Sequence, residues 1–350
     1  MTKLQEEQRR DPKSLAASVR LRALIDANWT TQAIAAAVQL RLPESLISVP
    51  QTLEGLAQQT SCHQRSLLRL LQALTSIDIV AQQEDGRFAL TETGRLLGAD
   101  TPGSLAAWAE LCGTTSWAAW GQLRQCVQSG NSVRKQSGGA DGFNHLERNP
   151  EAALLFNRAM VGLSRPIAAA VASEVDFTGV KCIVDVGGGY GELLTAVLLA
   201  YPGMQGVLFD MAHAIDAADK RLVEAGVSDR CRLLTGSFFD DLPAGADAYL
   251  LKSVLHDWDD ERCIKILGRC AQAMPPTGRL LIVERLMPER FSFSLHDQGI
   301  ARGDLNMLIA QDGQERTLEQ YRSLLSEGGL RLVNLIALSI GFSVLAAMRE

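Results

Sequence analysis

No run of about 18 consecutive apolar residues occurs in the 350-residue sequence, which excludes a membrane-spanning helix. The opening MTKLQEEQRRDPK is charged and lacks the apolar segment of an export signal, so the expected location is the cytoplasm. Cysteine is sparse: Cys62, Cys112, Cys126, Cys182, Cys231, Cys263 and Cys270 are odd in number, with no C-x-x-C pair and no cysteine-histidine cluster. They read as reduced, mostly buried thiols, and no metal is expected. A strong excess of either charge is also missing. The net charge of -6 and pI near 5.5 argue against nucleic acid as the main partner. No internal repeat is present.

Hydrophobic residues make up 47% of the chain and charged residues 21%, the balance of a folded protein, and the length suits two domains. The organising stretch is Cys182 to Gly191, CIVDVGGGYG. An apolar run leads to Asp185, then Gly187, Gly188, Gly189 and Gly191 crowd the turn before a helix-compatible run from Glu192 to Leu199. This pattern predicts a buried parallel strand, a glycine turn and a helix N-terminus. Glycine suits such a turn because the backbone must bend sharply and approach a ligand with no Cβ between them, while free N–H groups and the helix dipole face that ligand. A nucleotide-like cofactor is expected there. The dinucleotide fingerprint would place its last glycine where Glu192 stands, which argues against a nicotinamide cofactor.

Upstream, Leu15 to Leu42 carries Leu21, Leu24, Ile25, Trp29, Ile34, Ala37 and Leu40 at helical spacing and predicts one or two helices against a partner surface. Thr52 is placed to cap a short helix containing Leu53 and Leu56, and Ser66 to Leu74 predicts a second helix. IVAQQEDGRFAL predicts a hairpin turned at Asp85-Gly86. Helix, helix, hairpin is a winged-helix pattern. Its second helix offers only Arg65 and Arg69 as cations, and Glu84 and Asp85 flank Arg87 on the hairpin, so packing against another subunit is favoured over DNA binding. Trp108, Trp117 and Trp120 fall in a helical region at 104–128. The Gly/Ser-rich SGNSVRKQSGGADG reads as a loop, and Asn149-Pro150-Glu151 opens a helix through Phe156 and Met160. Trp108, Phe156 and Met160 read first as core residues. Their position before the cofactor region makes a pocket role the alternative.

From Val180 onward strands and helices alternate, with strands expected at 182–186, 206–210, 231–235, 247–251 and 279–284. That is an α/β, doubly wound parallel sheet. Helices are expected at Gln298 to Ala310 and Thr317 to Ser326, and β-rich segments at 331–338 and 341–348 predict a terminal hairpin. Ligands of such sheets lie at the carboxyl ends of the strands. Asp210 ends the second strand, nineteen positions after Gly191, where a carboxylate can accept both ribose hydroxyls; capping the next helix is the competing role. Strand four runs out into Lys252 and His256, and strand five ends at Glu284. An imidazole there can remove a proton, and the carboxylate can orient it and stabilise its charged form. His63, His145, His213 and His296 lack that setting and read as structural.

VDVGGGYG, the strand end FD at 209–210, GSFFDDLP at 236–243, LLKSVLHDWDDERC at 250–263 and DLNMLIAQDGQERT at 304–317 together resemble the class I S-adenosylmethionine-dependent small-molecule O-methyltransferases. The branch resembled joins plant caffeic acid and acetylserotonin-type enzymes with bacterial antibiotic-pathway enzymes, and the likeness covers most of the chain. It implies a winged-helix-like dimerisation domain at 1–100, a helical linker with pocket helices at 101–170, and a Rossmann-like catalytic domain at 171–350. It implies a homodimer and a small aromatic acceptor. S-adenosyl-L-methionine is the implied cofactor, S-adenosyl-L-homocysteine the product, and no metal is implied. Position by position, Gly187 and Gly189 approach the methionine end of the cofactor, Asp210 the ribose, and Ser237 and Phe238 the adenine; Met211 is a further cofactor-binding position, and Lys252 also lies near the cofactor. His256 is the implied general base, held by Glu284 and Glu315, and Trp108, Phe156, Met160, Asn306 and Met307 fall where the family lines its acceptor pocket. Two departures stand out: the family often has Asp in place of Ser237 and Pro in place of Ala212.

The function expected is methyl transfer to a hydroxyl, expected to be phenolic, of a small aromatic natural product. A sulfonium methyl is already activated, so alignment of the acceptor oxygen and removal of its proton suffice. Three other readings compete. The cofactor-binding fold could serve hydroxylation or decarboxylation, against which the complete His256, Glu284 and Glu315 set counts. A winged-helix regulator predicts DNA binding at low salt. A dehydrogenase predicts nicotinamide binding and is disfavoured by Glu192.

Overall fold

The computed structural model describes residues 12–139, 143, 146 and 148–350. Contacts divide it into two compact units, one ending at Thr115 and the other beginning at Ser116. The charged leader, residues 140–142 of the Gly/Ser-rich stretch and His145 lie outside the described residues.

In the first unit, α1 (Pro12–Asp26) and α2 (Asn28–Gln39) fill the predicted helical stretch. Leu15, Val19, Leu21, Leu24 and Ile25 of α1 are each more than half exposed, an apolar surface that nothing among the described residues covers. After α3 (Leu42–Leu46), α4 (Leu53–Gln59) starts where the Thr52 side chain accepts the Gly55 N–H at 3.1 Å. α5 (Gln64–Ser76) buries Leu67, Leu71 and Leu74, one helical face. β1 (Val80–Gln82) and β2 (Phe88–Leu90) pair antiparallel, with Val80 opposite Leu90, around a turn where Gly86 takes φ +83°. α6 (Glu92–Arg95) and α7 (Ala106–Gly113) complete the unit. The helix, helix, hairpin order is the one expected.

The boundary falls at the first residue of α8 (Thr115–Trp120), and α9 (Leu123–Ser129) and α10 (Val133–Gln136) follow in the second unit. α10 lies inside the stretch expected to be plain loop. Ser132 caps it by accepting the Lys135 N–H, and the Asp312 carboxylate accepts the Ser132 N–H, so a contact 180 positions away orders the segment. α11 (Pro150–Glu174) opens with the Asn149 side chain accepting the Ala152 N–H at 3.1 Å and continues through Pro166.

Seven strands follow: β3 (Cys182–Val186), β4 (Gln205–Asp210), β5 (Cys231–Thr235), β6 (Ala248–Lys252), β7 (Arg279–Glu284), β8 (Leu330–Ala337) and β9 (Ser343–Arg349). They form one sheet in the order β5-β4-β3-β6-β7-β9-β8. β3 to β7 are parallel, and the β8–β9 hairpin joins antiparallel through β9. α12 (Glu192–Ala200), α13 (Ala212–Glu224), α14 (Asp260–Ala273), α15 (Leu295–Ala310) and α16 (Leu318–Glu327) complete the unit. Alternate strand residues feed two cores: Val184, Tyr249, Leu251 and Ile282 enter one, and Ile183, Leu250, Leu281 and Val283 the other. The strand order reverses between β3 and β6, so the ends of these two strands border the crevice where such sheets bind ligands.

Candidate active site

The turn after β3 has Gly187, Gly189 and Gly191 at φ +70°, +59° and +75°, values that favour glycine. Gly188 is required for a different reason: a Cβ there would lie 2.4 Å from Leu208 Cδ1 and 2.6 Å from Asp185 Oδ2. At Gly189 the same atom would meet nothing within 4 Å, which leaves the backbone open to an incoming group. Asp210 accepts the Gly189 N–H at 2.7 Å and the Met211 N–H at 2.6 Å, tying the second strand end to the turn. Burial pushes its carboxyl above the ordinary range despite these donors. The N-cap position of α13 is Met211, not Asp210, and Ala212 is the first helical residue, where proline would also fit.

Asp185 is fully buried, and neither of its carboxylate oxygens has a hydrogen-bond partner of ordinary geometry among the described residues. Burial pushes it up to about 7, against the pull of Lys252. Lys252 donates to Ser164 Oγ at 2.8 Å, and burial lowers its pKa in spite of Asp185, Glu284 and Asp257.

His256 sits on a single 3-10 turn, 255–257, beyond β6. Its Nδ1 is 3.2 Å from Glu284 Oε2 and 3.5 Å from Glu315 Oε1, and its Nε2 is 3.8 Å from Asp257 Oδ1. Glu284 is fully buried. Its other oxygen accepts the N–H groups of Val254, Leu255 and His256 at 3.2, 3.1 and 3.4 Å, so one carboxylate fixes both the loop and the ring. Burial alone would lower the imidazole pKa. The charges of Glu284, Asp257 and Glu315 outweigh it and raise the value to about 10. Burial in turn raises Glu284 to about 7 and Asp257 to about 6.

A second segment locks this loop. Arg316, wholly buried, donates to the carbonyls of Leu255 at 2.9 Å and Trp258 at 2.7 Å and to Asp260 at 2.8 and 3.0 Å. The Gln314 N–H reaches the His256 carbonyl at 2.9 Å, and a Cβ on Gly313 would lie 2.0 Å from that same oxygen. Glu315 is thereby delivered to Nδ1, while its own N–H is held by Asp304 at 2.9 Å.

Comparison with known proteins shows which family carries this fold. An O-methyltransferase domain matches residues 120–331, and an O-methyltransferase dimerisation domain matches residues 23–100. The chain belongs to the O-methyltransferase family. Phenazine O-methyltransferase PhzM of Lysobacter antibioticus is 37% identical across 93% of this chain and 94% of its own. The solved structure of LaPhzM has a TM-score of 0.91 at 36% identity, covering 95% of this chain and 99% of that one. NcsB1, an O-methyltransferase of neocarzinostatin biosynthesis solved with S-adenosylmethionine and 2-hydroxy-5-methyl naphthoic acid, has a TM-score of 0.79 at 29% identity over 94% and 98%. Aclacinomycin 10-hydroxylase RdmB of Streptomyces purpurascens is 33% identical over 87% of this chain and 82% of its own.

Of the site residues expected in this O-methyltransferase, the structure gathers Gly187, Gly189, Asp210 and Met211 at one turn, and His256, Glu284 and Glu315 at one ring nitrogen. Phe238 packs against the Gly187 position and lies edge-on to Trp258, with centroids 5.8 Å apart. Ser237 spends its hydroxyl locally, accepting the Phe239 N–H at 3.2 Å. Phe156 and Met160 are neighbours on α11, and Phe143 links Phe156 to Trp258 through centroid distances of 5.6 and 6.5 Å. Asn306 and Met307 are half-buried on α15, and Trp108 lies on α7 of the first unit. Asp257, Arg316, Gly313, Asp185 and Ser164 escaped the sequence reading. Arg316 and Asp257 each adjoin a residue that was singled out, and that adjacency was the available signal.

Proposed function

We infer that the chain transfers the methyl group of S-adenosylmethionine to the phenolic hydroxyl of a small aromatic natural product, with His256 as general base. The observation that supports this reading is the double contact of Nδ1 with two buried carboxylates, with Nε2 as the nitrogen proposed to meet the acceptor. The phenolic proton passes to Nε2, and Glu284 and Glu315 stabilise the imidazolium that forms. The same carboxylates that raise the imidazole pKa stabilise the imidazolium formed when the ring takes the phenolic proton.

The residues fit the cofactor. Gly187 and Gly189 would admit its methionine portion where no Cβ intrudes, and the two unpartnered oxygens of Asp185 suit a cationic amino group. Asp210 with Met211 would hold the ribose, Ser237 and Phe238 the adenine, and Lys252 would lie nearby. When bound, the cofactor supplies a methyl group activated by its sulfonium. The chain then has to align the acceptor, exclude water and take one proton. No divalent ion is needed for that.

Phe156, Met160, Asn306 and Met307 are the proposed acceptor lining. The division of labour that goes with this reading is residues 1–100 for dimerisation, 101–170 for the pocket helices and 171–350 for catalysis. The exposed apolar side chains of α1 support a second copy of the chain as partner, rather than DNA. The cytoplasm is the proposed location; no helix among the described residues is long and apolar enough to cross a membrane. The test is transfer from labelled S-adenosylmethionine into a panel of hydroxylated aromatics, with methyl ethers identified by mass spectrometry. Tight cofactor binding with no transfer across a broad panel would overturn the reading in favour of non-methylating chemistry.

A further inference from the structure

Three carboxylates, Glu284, Glu315 and Asp257, surround one imidazole, an excess of negative charge in a buried place. The cations facing this cluster come from several elements. Lys252 at the end of β6 faces Glu284 and Asp257 and is tied to Ser164. Arg134 of α10 faces Asp257. Arg316 is committed to two carbonyls and Asp260. From α15, Asp304 faces Glu315 and holds its N–H, and from α16, Tyr321 faces both glutamates. Cys263 of α14 also faces Glu284.

Arg285, the residue after Glu284, is left to answer Glu315. Its guanidinium lies 4.6 Å from the ring centroid of buried Phe342. Gly303 of α15 shows where the guanidinium points: a Cβ built there would be 3.1 Å from Glu315 Oε1 and 3.6 Å from Arg285 Nη1. The carboxylate that touches the imidazole and the guanidinium therefore border one small gap, kept open by a missing side chain. The remaining oxygen of Glu315 has no hydrogen-bond partner among the described residues. Burial lowers the Arg285 pKa, Glu315 is the acid that most opposes that, and Arg302 of α15 adds a like charge on its other side. Arg285 stays ionised throughout the neutral range.

We propose that Arg285 is a positioning residue of the base: its charge competes with the imidazolium for the Glu315 carboxylate, and so limits how firmly the cluster retains the imidazole proton. This rests on the assignment of His256 as general base. A positive charge at that range opposes protonation of the imidazole through the shared carboxylate, so its removal makes His256 titrate higher and moves the acid limb of the pH-rate profile upward by about one unit. Arg285→Met keeps the apolar stem on Phe342 without the charge, Arg285→Gln is a second neutral variant, and Arg285→Lys keeps the charge.

The experiment follows the His256 Cε1–H signal by NMR in the full chain without cofactor, assigned by its loss in His256→Ala, and then measures transfer across pH. The expected result is an upward shift of about one unit in the Met and Gln variants, a Lys variant close to wild type, and no further shift when Arg285→Met is added to Glu315→Gln. Equal titrations in wild type and both neutral variants would overturn the proposal. So would a Lys variant shifted as far as Met, or a shift that survives Glu315→Gln. Full transfer by His256→Ala would instead refute the base assignment itself, which keeps the two failures apart.

Discussion

Arg316→Met removes the clamp on the histidine loop while keeping a side chain of similar length. In the wild type the guanidinium satisfies the carbonyls of Leu255 and Trp258 and reaches Asp260. Asp260 is well exposed and can turn to water, so its loss of a partner costs little. The two carbonyls cannot. A buried acceptor that loses its donor costs about 1–3 kcal/mol, and the Trp258 N–H, 3.2 Å from the Leu255 carbonyl, with the Cys263 thiol, 3.1 and 3.5 Å from the two oxygens, recovers part of that. The expected destabilisation is about 2–4 kcal/mol, read as a lower midpoint in urea at unchanged slope. Loss of the clamp also frees His256 relative to Glu315, so kcat should fall about 10- to 100-fold, whereas cofactor affinity, set at the β3 and β4 ends, stays within about threefold. A Met variant with wild-type stability and wild-type kcat would refute this reasoning. So would a loss confined to cofactor binding.

The two central glycines should differ. Gly188→Ala drives a methyl into Leu208 and Asp185 and is expected to cost about 1–3 kcal/mol and to weaken cofactor binding at least about tenfold by calorimetry; Gly189→Ala meets only backbone strain of about 1–2 kcal/mol, and identical behaviour would contradict the geometry. In the fold His256 is raised from 6.5 to about 10, so its contribution to stability is complete below 6.5 and is lost as pH climbs through about 10. Thermal melts should show that decline, and His256→Ala should flatten it. Glu284 and Asp257, also raised, push the same way at lower pH. Leu21→Glu with Leu24→Glu on α1 is expected to turn the dimer into monomer in analytical ultracentrifugation; a persistent dimer would place the interface elsewhere.

The sheet was legible because each parallel strand is a short apolar run bounded by a turn residue: the five expected at 182–186, 206–210, 231–235, 247–251 and 279–284 fall within one residue of β3 to β7. The capping threonines Thr52 and Thr317 marked real helix starts, since the cap is a local hydrogen bond that sequence spacing reveals. Contacts between distant segments were not legible. Ser132 bonds Asp312 across 180 positions and turns expected loop into a capped helix, and Arg316 grips Leu255 across 61. His256 and Glu284 stood out as strand-end residues, but the three N–H groups converging on Glu284 come from how the 254–256 backbone turns. Asp185 looked like part of an apolar strand, and only its burial beside Lys252 marks it as a site residue.

The role of His256 as proton acceptor is read out by single-turnover transfer from labelled S-adenosylmethionine to a phenol that the wild type methylates. Wild type and His256→Ala are compared across pH at saturating cofactor, with binding measured separately. The expected result is a loss of about 100-fold or more in the variant, with cofactor affinity nearly unchanged. A variant that transfers the methyl group at the wild-type rate would show that His256 is not the proton acceptor.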